Sequence, residues 1–229
     1  MANVTTDIAA FPVKGGQCAG YLAKPTNAAT APGVVVVQEW WGLNEHVKDV
    51  TRRFAAEGFT ALAPDLYRGT VTDDGSKAAA LMQELDVPNA VQDILGAVRY
   101  LGRIGAGKIG IVGFCLGGKL TIQAAIEGGD AVAAAVPFYG FNPNPVSEAR
   151  RITAPVLAFY GGKDTMVTPD DAEAFETELR QAGGAVEAHS YRNAGHAFFN
   201  DTRPEAYDPE AAKDAWQRAL AFLKQHLSA

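Results

Sequence analysis

The passage from Lys108 to Glu127 constrains this chain most. A β-branched run, Lys-Ile-Gly-Ile-Val-Gly-Phe, enters Gly113-Phe114-Cys115-Leu116-Gly117-Gly118 and continues into a helical stretch from Lys119. A short apolar run bounded in this way reads as a strand buried on both faces, the kind found in parallel sheets. The runs Val34 to Gln38, Thr60 to Ala63, Ala131 to Phe138, Val156 to Tyr160 and Ala185 to Tyr191 follow the same pattern, and Gly20 to Lys24 reads as an amphipathic early edge strand. Helical signals fall between them. Asn44 caps a helix reaching about Glu57, Pro88 opens one reaching about Leu101, and Thr168-Pro169 opens another that ends near Gly183-Gly184. Trp216, Leu220, Leu223 and Leu227 form the stripe of an amphipathic C-terminal helix. Strands alternating with helices predict a doubly wound, mostly parallel sheet with helices on both faces.

Residues 1–229 read as a single domain, because no repeat or linker divides them. A chain of this length buries roughly 70% of its unfolded surface and needs no disulfide framework or metal to stay folded. Its formal net charge of -6 repels phosphate backbones, and no basic stripe reverses that locally, so a nucleic-acid partner is not expected. The first twenty residues lack the basic and apolar regions of a secretory leader, and no apolar run approaches the ~18 residues that span a bilayer. The expectation is a cytoplasmic protein with no membrane partner, monomeric by default. Cys18 and Cys115 are then free thiols. With two cysteines, no CxxC and four scattered histidines, no metal site or cofactor is expected.

Gly113 to Gly117 has the form G-x-C-x-G between a strand and a helix. A nucleophile elbow needs small residues two positions either side, because the nucleophile sits on a strained turn pressed against its neighbours. The helix that follows places positive dipole near the sulfur and favours thiolate. Two other readings stand beside this one. Cys115 could be a buried hydrophobe, or Gly113 to Lys119 could be a phosphate-binding G-x-x-x-x-G-K loop, although Leu120 stands where Ser or Thr should hold magnesium.

A cysteine nucleophile needs a base, and a base needs an orienting acid. His196 lies in a polar turn beyond the strand ending at Tyr191, and Asp164 follows the strand ending at Tyr160. Asp170 and Asp171 compete for the acid's role, but in the first turn of a helix acids complement the dipole. Asp65 ends a strand too early in the chain. Cys115, Asp164 and His196 stand in the nucleophile, acid, base order of α/β-hydrolases.

The motifs Gln38-Glu39-Trp40-Trp41-Gly42-Leu43-Asn44, Ala63-Pro64-Asp65-Leu66-Tyr67, Gly113-Phe114-Cys115-Leu116-Gly117-Gly118, Gly161-Gly162-Lys163-Asp164 and Gly195-His196-Ala197-Phe198 together resemble the dienelactone hydrolase family. The resemblance implies an α/β-hydrolase fold and cleavage of a small-molecule ester or lactone through a thioester on Cys115. It also implies that Glu39 contacts the resting thiol and helps ionise it, and that the Leu116 and Trp40 backbone N–H groups form the oxyanion hole. Members that cleave dienelactone hold its carboxylate with two arginines, one of them four residues beyond the histidine; here Asn200 occupies that position. Arg203, Arg68 and Lys77 are the cations nearest in sequence to the expected clamp. Trp41, Tyr139 and Phe198 are expected to line an apolar substrate pocket. The rival from another class is a non-catalytic protein of the same fold that senses oxidants through Cys115.

Overall fold

The apolar runs become strands of one sheet. The computed structural model describes residues 3–26, 30–140 and 146–228. Its strands are β1 (Val4–Val13), β2 (Gly16–Pro25), β3 (Gly33–Val37), β4 (Thr60–Pro64), β5 (Ile109–Phe114), β6 (Ala134–Phe138), β7 (Val156–Gly161) and β8 (Val186–Tyr191). They lie in the order β1-β2-β4-β3-β5-β6-β7-β8. Every neighbouring pair from β4 through β8 is parallel, whereas β2 runs antiparallel to both β1 and β4. Each residue of β3 to β7 is buried, so these segments read as continuous apolar runs and not as alternations. Parallel pairing also sends the C-terminal ends of β3, β5, β6, β7 and β8 to a single rim.

Helices α1 (Glu45–Ala56), α2 (Gly75–Glu84), α3 (Val87–Arg103), α4 (Leu116–Gly128), α5 (Pro169–Gln181) and α6 (Pro209–Leu227) complete the chain. Helices α1 and α6 bury Val50, Phe54, Leu220 and Leu223 in the core on one face of the sheet. On the other, α3, α4 and α5 bury Ile94, Leu101, Leu120 and Leu179. The start signals work as their chemistry requires. Asn44 Oδ1 accepts from Val47 N at 3.1 Å, and Thr168 with Asp171 closes a reciprocal capping box; losing such a cap costs about 1 kcal/mol.

Several boundaries differ from the sequence expectations, among them the strand expected from Ala131, which begins at Ala134 after a 3-10 turn over Gly129–Ala131. β1 was not anticipated, and it takes the sheet edge from β2, which is also longer than Gly20 to Lys24. Most of β1 is exposed, with Ala9 and Phe11 its buried residues, and apolar Ile8 and Ala10 on the exposed face blur the alternation that would mark a strand. α2 was missed because Ala78 is its sole buried residue. α4 begins directly after Cys115, three residues before the expected start at Lys119, because glycines there pack tightly and do not break the helix.

The aromatic ladder Phe114, Phe138, Phe159 crosses three adjacent strands with ring centroids 4.7 Å apart at each step. Truncating Phe138 to alanine would cost about 3–5 kcal/mol. Phe114 and Phe138 directly precede Cys115 and Tyr139, so this packing fixes the two strand ends at the rim. No helix among the described residues is long and apolar enough to cross a membrane.

Candidate active site

Four segments leaving the rim converge. Glu39 and Trp40 follow β3, Cys115 follows β5, Asp164 follows β7, and His196 follows β8. Cys115 has φ 53° and ψ -115°, a left-handed conformation that costs a side-chain-bearing residue about 1–3 kcal/mol. Its surroundings enforce it. A Cβ at Gly113 would lie 2.1 Å from the Gly117 carbonyl oxygen, and one at Gly117 would lie 2.3 Å from that of Val37. Gly140 presses in from the other side, its would-be Cβ 2.0 Å from the Cys115 carbonyl oxygen. The Cys115 N–H donates to Phe138 O at 3.0 Å and its carbonyl accepts from Lys119 N at 3.2 Å. The sulfur stands at the N-terminus of α4, where the first N–H groups lack helical partners. Among the described residues neither the Leu116 nor the Trp40 N–H donates to a backbone carbonyl outside the regular elements.

The Asp164 side chain is fully buried. Its Oδ1 accepts from Met166 N at 2.8 Å and Val167 N at 3.0 Å, leaving Oδ2 for His196 Nδ1 at 2.8 Å. An ionised carboxylate only accepts, so Nδ1 carries a proton in either charge state of the ring, and Nε2, turned away from the acid, is the nitrogen that gains or loses one. His196 Nε2 is buried and has no hydrogen-bond partner among the described residues. Burial by itself would lower the His196 pKa, but the hydrogen bond to Asp164 and the neighbouring Cys115 sulfur outweigh it and push it up to about 10.

Glu39 is 2% exposed. Its Oε1 accepts from the Tyr139 hydroxyl at 3.2 Å and its Oε2 from Asn200 Nδ2 at 2.6 Å. Glu39, Cys115 and His196 share the lining of a cavity of about 130 Å³, together with Trp40, Trp41, Met166 and Arg203. That volume suits a group about the size of a benzene ring. The Arg203 guanidinium lies 3.7 Å from the centroid of the Trp41 ring, and its ion pair with exposed Glu205 is long at 3.8 Å.

The structure thus brings Cys115, Asp164, His196, Glu39, Leu116, Trp40 and Trp41 to one place. It does not bring Tyr139 and Phe198 into the cavity lining. Both are wholly buried; Tyr139 stands behind Glu39 with its ring 5.2 Å from that of His196, and Phe198 packs on Tyr139 and Tyr191. Aromatic type alone could not separate a wall from its backing. Arg68 is also absent from the lining, because it pairs with the buried Asp93 at 2.7 Å, and Lys77 is exposed on α2. Asn200 is the residue that sequence reasoning placed only by what it replaces. Its contact with Glu39 joins positions 161 residues apart, which no local pattern announces.

Both cysteines are free, in opposite settings. Cys18 is buried beside the carbonyls of Ala19 and Asp65, and burial, reinforced by the Asp93 charge, pushes its thiol up to about 11. Among the described residues no three His, Cys, Asp or Glu side chains are grouped so as to hold a metal ion.

Comparison with known proteins places this geometry in context. The model of the dienelactone hydrolase family matches residues 18–227. "Protein usf" of Aquifex pyrophilus is 35% identical over 95% of this chain and 97% of its own length. A "Putative carboxymethylenebutenolidase" of Yersinia pestis is 38% identical over 94% of this chain and 86% of its own. Among solved structures, a "Putative Dienelactone Hydrolase" from Klebsiella pneumoniae superposes with a TM-score of 0.89 at 34% identity, covering 97% of this chain and 99% of the other. More distant esterases and acylaminoacyl peptidases share the α/β-hydrolase fold at 14–18% identity.

Proposed function

This chain belongs to the dienelactone hydrolase family of α/β-hydrolases, and on that premise we propose that it cleaves a small ester or lactone with Cys115 as nucleophile, His196 as base and Asp164 as orienting acid. One observation carries the reading. His196 is locked through Nδ1 to a buried carboxylate while Nε2 has no hydrogen-bond partner among the described residues, in a cavity that it shares with Cys115.

In this reading the Cys115 thiolate attacks the substrate carbonyl, and the negative charge moving onto the carbonyl oxygen is received by the Leu116 and Trp40 N–H groups. The tetrahedral adduct collapses to a thioester on sulfur, and the departing alkoxide or enolate takes the proton from His196 Nε2. Water then enters. His196 accepts its proton as the hydroxyl attacks the thioester, and the acid product leaves with the thiolate restored. Asp164 stabilises the cationic imidazole without taking its proton. Glu39 assists the first ionisation of the thiol.

The cavity favours an acyl or lactone portion of ring size packed against Trp40, Trp41 and Met166. Arg203 is the one guanidinium or ammonium in this lining among the described residues, so a substrate anion, if present, is met by a single cation stacked on Trp41.

The test compares the purified protein and Cys115→Ala on p-nitrophenyl acetate, with mass spectrometry of acid-quenched enzyme. A loss of about a thousandfold or more in kcat and an acetyl adduct on Cys115 are expected. Equal turnover by the alanine variant would end the proposal. Negligible turnover by the parent protein, with peroxide forming a reversible sulfenic acid on Cys115, would favour the redox-sensing reading instead.

A further inference from the structure

Glu39 is a buried carboxylate whose bonding differs at its two oxygens. The partner at Oε2 is the side-chain amide of Asn200, itself completely buried. The orientation of that amide is fixed from behind. Asn200 Oδ1 accepts from the Thr202 backbone N–H at 3.1 Å and from the Thr202 hydroxyl at 2.7 Å. A backbone N–H can only donate, so the amide oxygen must face Thr202 and the NH2 must face Glu39. The turn that carries Asn200 is also pinned, by Asn200 N to Ala197 O at 2.9 Å and Arg203 N to Asn200 O at 3.1 Å. Glu39 Oε2 therefore meets a group that donates and never accepts.

At Oε1 the partner is the Tyr139 hydroxyl, which works in both directions. It donates to the ionised carboxylate, and after a rotation about its C–O bond it accepts from a protonated one. Burial, with the Glu39 charge adding to it, holds the Tyr139 pKa well above the ordinary value, so this hydroxyl keeps its proton throughout.

We propose that Asn200 is a positioning residue for Glu39: its amide occupies Oε2 as an obligate donor and leaves Oε1 as the oxygen that takes the proton from Cys115. The assignment rests on the reading of Cys115 as nucleophile. In the step it governs, the S–H bond of Cys115 breaks, an O–H bond forms at Glu39 Oε1, and the negative charge passes from carboxylate to sulfur. Tyr139 then turns from donor to acceptor, so Glu39 Oε1 and the tyrosine oxygen stay paired with each other in both states. An amide at position 200 also means that no ion pair must break before Glu39 accepts a proton. The charged and titratable groups around Glu39 are Cys115 at the start of α4, His196 with Asp164 behind it, Tyr139 after β6, and Arg203 and Glu205 in the segment following Asn200.

The experiment records kcat/KM for p-nitrophenyl acetate against pH for the parent protein, Asn200→Leu, Asn200→Asp, Glu39→Gln and the double variant Glu39→Gln/Asn200→Leu, with melting temperatures for each. Asn200→Leu is expected to lose about tenfold and to move the acid limb upward by about one unit, because the carboxylate loses a donor to its ionised form. Asn200→Asp should move that limb further, since two carboxylates in contact share one proton. In the Glu39→Gln background the leucine substitution should change kcat/KM by no more than about twofold. An equal loss in both backgrounds, or an unmoved acid limb in Asn200→Leu and Asn200→Asp, overturns the proposal. Should Asn200→Leu fail to fold, the nearly isosteric aspartate, which can still accept from Thr202, decides alone. If Glu39→Gln matches the parent, Glu39 has no part in ionisation and the proposal falls, while Cys115→Ala judges the hydrolase reading separately.

Discussion

The described residues contain two histidine–aspartate pairs, and setting one beside the other shows what a hydrogen bond leaves undecided. His196 Nδ1 meets Asp164 at 2.8 Å, and His46 Nδ1 meets Asp201 at 3.1 Å. In both rings Nε2 is buried and without a hydrogen-bond partner among the described residues. The acids differ. Asp164 has a fully buried side chain held by two backbone donors, whereas the Asp201 side chain is 43% exposed and shares its charge with Arg53 at 3.7 Å. The surroundings differ as well. His196 borders a cavity with a sulfur in its wall, but His46 stands 6.5 Å from the rings of both Phe114 and Phe199 in the core. A dyad becomes chemically useful when its acid is immobilised away from water and its free nitrogen faces a place a substrate can reach.

Replacing each histidine tests that contrast most severely. His196→Ala should lower kcat by about 10⁵-fold or more, while His46→Phe should leave kcat/KM within about threefold, under 1 kcal/mol of barrier. Comparable losses in steady-state assays of the two would erase the distinction. The acids come next. Asp164→Asn should cost about 10⁴ in kcat, since the amide allows the wrong tautomer, and Asp201→Asn should cost little activity and about 1 kcal/mol or less of stability in urea denaturation, because the acid is 43% exposed and an asparagine oxygen can still accept from His46 Nδ1.

A subtler difference lies in pH. The His196 pKa is raised to about 10, so the stabilisation from its proton is complete below the ordinary 6.5 and is lost as pH rises through about 10. An alkaline fall in kcat/KM near that value is expected, shifting toward 6.5 in Asp164→Asn and staying put in Asp201→Asn. Smallest among the expected losses of function is that of Arg203→Met. It should raise KM for carboxylated esters by roughly tenfold relative to uncharged ones, and an unchanged ratio would deny Arg203 any part in recognising anions.

The three candidate residues Cys115, Asp164 and His196 could be placed from sequence because each follows a strand whose apolar run is easy to see, and parallel pairing brings such ends together. Glycine spacing around Cys115 likewise announced a turn too tight for side chains. Edge strand β1 and helix α2 left no such trace, since elements that bury one or two residues have no periodicity to detect. Tyr139 and Phe198 were misplaced for a related reason: a large aromatic satisfies either a cavity wall or the layer behind it, and only packing separates them. The link between Glu39 and Asn200 depends on the register of a turn after β8 relative to one after β3, information that no window of sequence contains.

The crowding around Cys115 has a consequence for how the protein fails on heating. Backbone from β3, β5, β6 and α4 meets there with no space for even one added methyl group, so the bend carrying the sulfur cannot loosen while the strands beneath it hold. Thermal inactivation should therefore track the cooperative melting of the whole sheet. A warmed sample would contain native, competent molecules and unfolded ones, with no intact scaffold bearing a slack reaction centre.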